Sequence, residues 1–270
     1  MNRPRVALIL LTFLGIAWTL YMGTQTAGRP ALVLELSHGP KEIASALWPD
    51  PGSKVTGAEE LRKAVAKNVA AFQNGLALDN IFIFLYAGQF STLVWFAQRF
   101  RTAPAERGWR LAGWIAVAFM LAAGVADFEE NRRAIDLLQT AEPALTIPLA
   151  DPVPFEAARW MVRSASLSKW LLFGLAAGVF GVASKRLLTR AGESRNAPAC
   201  LMNLLLVGTA ALCLTGTALE YFTWIVGRAF IGAGVGVYTL AELVVIYNFI
   251  YCPGVARIDA WVAELLPKEG

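Results

Sequence analysis

Six long apolar runs constrain this chain more than any other feature of its sequence. Each is roughly 17 to 25 residues long, and they occupy residues 6–22, 77–100, 109–127, 167–183, 199–222 and 229–251. About 20 apolar residues in a helix cross the hydrocarbon core of a bilayer. The composition agrees, since 56% of the 270 residues are apolar. The sequence therefore predicts an all-α fold, an integral membrane bundle of about six transmembrane helices.

Basic residues in short loops predict the orientation of these helices. One cluster lies between residues 99 and 110, after the second run, and another lies between 185 and 195, after the fourth. Loops rich in lysine and arginine stay on the cytoplasmic side. We therefore expect a multi-pass protein of the cell membrane, of the bacterial inner-membrane type, with both termini cytoplasmic and residues 23–76 outside.

The same composition excludes several classes of function. The net charge of +4 lies in the short loops, so it indicates topology and no nucleic-acid surface. His38 is the one histidine, and it has no second histidine or cysteine nearby. Zinc and di-iron sites need several such ligands, and no haem signature is present either. Cys200, Cys213 and Cys252 are isolated thiols without a pairing pattern.

Changes in composition divide the chain into four segments. Residues 1–22 form a retained first helix, 23–76 an extracytoplasmic segment, 77–252 a five-helix membrane bundle and 253–270 a cytoplasmic tail. Within the second segment, Thr56 and Glu59 resemble a capping box that opens an amphipathic helix ending at about residue 74. We expect this helix to lie on the outer membrane surface or on the bundle. A proline-rich loop is predicted between the third and fourth spans.

A polar stretch at residues 126–133 ends the third span. If the helix continues through it, Asp127, Glu130 and Asn131 have i, i+3, i+4 spacing and share one face, while Glu129 and Arg132 point away. Ionisable groups at such a depth usually face protein or a wet cavity. Two interpretations remain open: a solvated helix exit with local ion pairs, or a functional site.

In the predicted topology, several polar residues collect at the outer ends of five spans. Asp127, Glu130 and Asp79 are the candidates for acid–base chemistry, because carboxylates in one apolar pocket separate into an acid and a base. The candidate ligand-binding residues are Asn80, Tyr86, Asn131, Lys169, Glu220, Arg228 and Glu242. Glu242 differs from the rest, since it lies near the middle of the sixth span. It is either a protonated, hydrogen-bonded structural group or a group that handles protons or substrate.

Two small-residue patterns, Gly174-x-x-x-Gly178 and Gly232-x-x-x-Gly236, allow close approach of helices. We interpret both first as packing within the bundle, and dimerisation is the alternative.

The order of Asp79 and Tyr86, then Ala-Asp127-x-x-Glu130-Asn131, then Lys169-Trp170 resembles a set of uncharacterised bacterial polytopic membrane proteins. The resemblance covers roughly residues 77–185. It implies a membrane location and a shared polar core, and it implies no activity.

Two functions fit this sequence. The first is a membrane-embedded enzyme or binding protein for a lipid or isoprenoid-like molecule that enters from the outer leaflet. Its carboxylates would do acid–base work or hold a divalent cation, and Asn80, Asn131 and Lys169 would orient them and any anionic headgroup. The second is a non-catalytic assembly factor or small transporter, in which the same groups form a structural network. Membrane lipid is the expected partner in either case, and the sequence leaves the oligomeric state open.

Overall fold

The computed structural model describes residues 3–25, 35–48, 57–98, 107–146, 153–188, 197–222 and 226–247. Within these ranges the chain is all-helical and has no strand. The helices are α1 Arg3–Gln25, α2 Pro40–Leu47, α3 Ala58–Gln98, α4 Arg107–Thr146, α5 Val153–Leu188, α6 Ala197–Tyr221 and α7 Val226–Val245. Consecutive long helices pack side by side, and α1 runs antiparallel to α3, since Thr12 pairs with Gln89 and Trp18 with Leu78.

Three helices are much longer than a bilayer requires. α3 has 41 residues, α4 has 40 and α5 has 36. At about 1.5 Å of rise per residue they extend over roughly 55–60 Å, nearly twice the thickness of the hydrocarbon core. About half of each helix therefore projects beyond the apolar layer.

The projecting halves build a second hydrophobic core. Its buried residues come from α2, the first half of α3, the second half of α4 and the first turns of α5: Ile43, Leu47, Val65, Val69, Phe72, Leu76, Ala134, Leu137, Leu138, Ala158 and Val162. We call this layer the cap. The membrane-region core is separate and centres on Phe90, Phe96, Met120 and Phe180.

The cap corrects two sequence-based predictions. The amphipathic stripe predicted for residues 56–74 is real, but it packs in the cap and its helix does not end there: α3 runs on without interruption through residue 77 to Gln98. The proline-rich loop is also shorter than predicted. α4 continues through Pro143 to Thr146, and α5 begins at Val153, so that Pro154 lies in its first turn, where proline is tolerated.

Four helices are long and apolar enough to cross a membrane: Ala58–Gln98, Arg107–Thr140, Glu156–Ser184 and Cys200–Tyr221. In the described residues, the apolar part of α1 is the shorter stretch Val6–Trp18, so six spans are not confirmed. Large apolar side chains lie exposed on the outside of the bundle, including Phe84, Val125 and Leu204 at 67–70% exposure. Surfaces of this kind indicate a multi-pass membrane protein, because water would penalise them.

Glycines set the closest helix approaches, and the two small-residue patterns differ. A Cβ on Gly174 would meet Leu214 at 3.0 Å, and one on Gly178 would meet Ala210 at 3.2 Å, so this pattern packs α5 against α6 as predicted. A Cβ on Gly232 or Gly236 would meet nothing within 4 Å among the described residues. The prediction of intramolecular packing is therefore wrong for this second pattern, whose neighbours Gly227 and Gly234 make the contacts to α6 instead.

Candidate functional site

The ammonium group of Lys169 lies at the centre of a buried acidic cluster. Its Nζ is 2.9 Å from Asp127 Oδ1, 2.9 Å from Glu130 Oε2 and 3.3 Å from Glu35 Oε2. All four residues are at most 7% exposed. Lys169 comes from α5, Asp127 and Glu130 come from α4, and Glu35 precedes α2. We call this group, with Asp79 beside it, the lysine cluster.

The register predicted for the polar stretch of α4 is confirmed. Asp127, Glu130 and Asn131 are 4%, 0% and 1% exposed, because the helix continues and puts them on the face toward α3 and α5. Arg132 is exposed, and the partly exposed Glu129 pairs with Arg133 at 2.6 Å along the helix. The local ion pairs of the first interpretation therefore lie on the outer face of this helix. Its inner face carries the buried cluster.

Hydrogen bonds between α3 and α4 extend the lysine cluster. The Tyr86 hydroxyl donates a hydrogen bond to Asp127 Oδ2 at 2.9 Å. Each carboxylate oxygen of Asp127 therefore has its own partner, since Lys169 binds the other. Asn131 donates to Asp79 Oδ2 at 2.9 Å and to Asn80 Oδ1 at 3.1 Å. Seven of the ten predicted site residues thus come together here.

Charge in the lysine cluster is unbalanced. Asp127, Glu130 and Glu35 contact one ammonium group, and the half-buried Asp79 lies beside them. If all four carboxyl groups were ionised, their net charge with Lys169 would be −3, at a place largely removed from solvent. Like charges in a desolvated site disfavour full ionisation. We therefore expect the cluster to hold protons, as paired carboxyls in apolar pockets do.

The sequence left open a divalent cation held by these carboxylates. The geometry of the cluster does not fit one. Lys169 occupies the position between the carboxylates at which a cation would bind. In the part of the chain that the structure describes, no group of three or more His, Cys, Asp or Glu side chains is arranged to hold a metal ion. The cation of the site is the ammonium of the chain itself.

Glu220 and Arg228 lie in a second cluster, apart from Lys169, where they pair with each other. Glu220 Oε2 is 2.8 Å from His38 Nε2 and 3.4 Å from Arg163 Nη2, and Oε1 is 3.5 Å from Arg228 Nε. Glu220 and Arg163 are fully buried, at 0% and 1% exposure. We call this group the arginine clasp.

The arginine clasp holds the segment 35–38 against the ends of α5, α6 and α7. Arg163 donates to the carbonyl oxygen of Leu36 at 3.0 Å and also to the carbonyl of Glu220. Arg159 donates to the carbonyl of Ser37 at 2.8 Å. Leu36 and Ser37 are 0% exposed. Because Glu35 reaches Lys169 from the same segment, the clasp and the lysine cluster are joined by four consecutive residues.

Glu42 links α2 to the clasp. Burial alone would raise the pKa of Glu42, but hydrogen bonds from Arg228, at 2.7 Å, and from the backbone N–H of His38 lower it overall. The Glu42–Arg228 ion pair therefore persists into mildly acidic solution.

The sequence reasoning missed four residues of these clusters: Glu35, His38, Arg159 and Arg163. His38 had been considered only as a metal ligand. Arg159 and Arg163 carried a usable signal, since they are four residues apart and share a face if the segment before the fourth span is helical. Glu35 carried none, because a single carboxylate in an irregular segment has no periodicity.

Glu242 is a third site, separate from the lysine cluster. Gln89 Nε2 donates to Glu242 Oε2 and also, at 2.9 Å, to Thr12 Oγ1, which ties α7 to α3 and α1. Glu242 is 3% exposed. It lies 14 residues after Arg228, about 21 Å along α7.

No protein-family model, curated protein or solved structure matches this chain. The resemblance to uncharacterised bacterial membrane proteins gains no support from these comparisons, and it stays an expectation from the sequence.

Proposed function

We propose that this chain is a six-span membrane protein whose lysine cluster is a buried acid–base site for a lipid or isoprenoid-like molecule. The observation that supports this function is the excess of carboxyl groups around Lys169, with Asp127 hydrogen-bonded on both oxygens. Such an arrangement holds exchangeable protons away from water, which is what a general acid or base for a membrane-soluble substrate requires.

The six-span topology adds α1 and α7 to the four apolar helices. α1 has 23 residues and α7 has 20, each enough for one crossing. Both pack on the bundle through Gln89, which contacts Thr12 and Glu242. The cap, with the segment 35–38, then lies on the outer side and the basic links lie in the cytoplasm. Single cysteines at positions 40 and 104, in a chain without its natural cysteines, test this. We expect labelling from outside at 40 only, and labelling at 104 would overturn the topology.

The contacts of Lys169 narrow the substrate class. An ammonium group has three N–H donors, and here Asp127, Glu130 and Glu35 take all three. All three N–H groups of Lys169 therefore bind acceptors within the protein. In this proposal Lys169 has no donor left to orient an anionic headgroup. The groups left to meet a substrate are carboxyl groups, which accept a hydrogen bond when ionised and donate one when protonated. A hydroxyl or amine at the end of an apolar chain is the polar group that fits them.

In this proposal nine of the ten predicted residues have a role. Asp127 is the proton-exchanging group, with Tyr86 and Lys169 fixing its two oxygens, and Glu130 is the second acid. Asp79, Asn80 and Asn131 form the neighbouring hydrogen-bonding wall. Glu220 and Arg228 hold the segment 35–38 in place and have no direct role in substrate chemistry.

The test compares lipids that co-purify with two variants. Asp127→Asn keeps the shape of the side chain and removes its charge, and Glu129→Gln makes the same kind of change on the outer face of the same helix. The wild type and the two variants are purified in native-lipid particles, and bound lipids are identified by mass spectrometry. We expect one lipid class to be enriched with the wild type and Glu129→Gln and lost with Asp127→Asn. Equal lipid profiles in all three proteins would refute the proposal.

One observation favours the second function, a structural network in a non-catalytic membrane protein. The ammonium of Lys169 and the guanidinium groups of Arg159 and Arg163 bind acceptors on the segment 35–38 and on the helices around it. Such contacts would fasten this segment whatever the protein does. Unfolding measurements separate the two functions. A folded, stable Asp127→Asn protein that has lost its lipid supports the acid–base site, whereas an unstable one with normal lipid content supports the network.

A further inference from the structure

Glu242 is a buried carboxyl group without a cationic partner. It is 3% exposed and lies on α7, facing α3 and α1 in the middle of the bundle. None of the ion pairs of the described residues includes it, and Tyr238 is the titratable group there that acts on it. An ionised carboxylate in such a place is costly, since neither water nor a charge compensates it.

Two oxygen atoms at this place have no hydrogen-bond partner among the described residues other than each other. They are Glu242 Oε1 and Tyr238 OH, both buried, on residues one helical turn apart on α7. Tyr238 is 5% exposed. Both side chains are therefore more than nine-tenths buried and have free hydrogen-bonding capacity on the same face of α7. Native proteins rarely leave such atoms unsatisfied without a reason.

The hydrogen bonds around Glu242 decide which cation it can take. Gln89 directs an N–H donor at Glu242 Oε2, and the same nitrogen donates to Thr12 Oγ1. A sodium ion needs several oxygen ligands and would be opposed by this donor, whereas a proton needs only the free Oε1. When Glu242 is protonated, its O–H can donate to the Tyr238 oxygen. When it is ionised, the Tyr238 O–H can donate to it.

We propose that Glu242 is a proton-binding site in the middle of the membrane region, where Gln89 and Tyr238 stabilise both its protonated and its ionised form. The Tyr238 hydroxyl exchanges donor and acceptor roles, while Gln89 donates to Glu242 Oε2 in both states, so proton uptake needs no rearrangement of the site and leaves it neutral. This inference does not rest on the proposed function of the lysine cluster. Tyr86, the α3 residue that binds Asp127, lies one turn before Gln89, so the two sites are neighbours along one helix.

Infrared spectroscopy of the full-length protein in lipid tests this directly. A protonated carboxyl group in an apolar environment has a C=O stretch that is distinct from that of a carboxylate and shifts in D2O. We expect a band that loses intensity as the pH rises from about 5 to 9, the range over which a perturbed carboxyl titrates. The band should be absent from Glu242→Gln and unchanged in Glu129→Gln.

A second variant keeps the test valid if Glu242→Gln does not fold. Tyr238→Phe retains the carboxyl group and removes a hydrogen bond from each of its two forms. Because the hydrogen bond to the ionised form is the stronger one, the midpoint of the band should move to higher pH by roughly one unit. Three results would overturn the proposal. They are a band that Glu242→Gln retains, a band that does not titrate over this range, and a band that sodium chloride removes at constant pH while potassium chloride does not.

Discussion

Replacing Lys169 with methionine removes the cation of the lysine cluster, where three of the four carboxyl groups are buried in contact with it. The variant side chain fills similar space, so the change in stability reports mainly the charge. Nζ makes contacts of 2.9, 2.9 and 3.3 Å to Asp127, Glu130 and Glu35. Removing one partner of a buried ion pair costs about 3–5 kcal/mol, because the other charge remains uncompensated. We expect Lys169→Met to lie at or above the upper end of that range.

Removing one acid from the cluster should destabilise the protein far less than removing its cation. Glu35→Gln removes the acid with the longest contact to Lys169, and it leaves three carboxyl groups facing the ammonium. Because the cluster has an excess of acids, we expect a loss below about 1 kcal/mol, or a small gain. Lys63→Met, at a side chain 76% exposed, is the matched control and should change stability by less than about 0.5 kcal/mol.

Unfolding in lipid bicelles, followed by the fluorescence of the nine tryptophans, measures these differences. The loss in Lys169→Met should also shrink as the pH falls, because protons can then replace the missing cation on the carboxylates. The reasoning would be refuted if Glu35→Gln destabilised the protein more than Lys169→Met does, or if the Lys169→Met loss were independent of pH.

Three further predictions concern single contacts. Gly227→Ala should cost about 1–3 kcal/mol, because its Cβ would lie 2.5 Å from a backbone oxygen of α6, while Gly232→Ala should be neutral; equal losses in thermal unfolding would contradict this. Arg163→Met should make the segment 35–38 sensitive to added protease, and the exposed Arg132→Met should not; unchanged cleavage patterns would show that the clasp is not needed. Tyr86→Phe should lower the free energy of unfolding by about 1.5–3 kcal/mol, because it removes a hydrogen bond to a charged group. No change in that free energy would show that the hydrogen bond to the Asp127 carboxylate is weak.

The sequence by itself determined the class of protein and the register of its central motif. Apolar runs identify membrane helices because the bilayer accepts only segments of that length and composition. The faces of Asp127, Glu130 and Asn131 followed from helical spacing alone, since α4 continues through the motif. Lys169 contacts Asp127 of this motif because a buried ammonium group needs a carboxylate as its partner.

Only the tertiary structure decided how these elements combine. The cap forms because the projecting halves of α3, α4 and α5 each have an apolar stripe that none can bury alone, a fact that appears only when the three are side by side. The difference between Gly178 and Gly232 likewise depends on which face of each helix meets a neighbour. Glu35 reaches Lys169 from 134 residues away in the chain. Contacts of that range follow from packing, because local sequence patterns record only the spacing of residues along one helix.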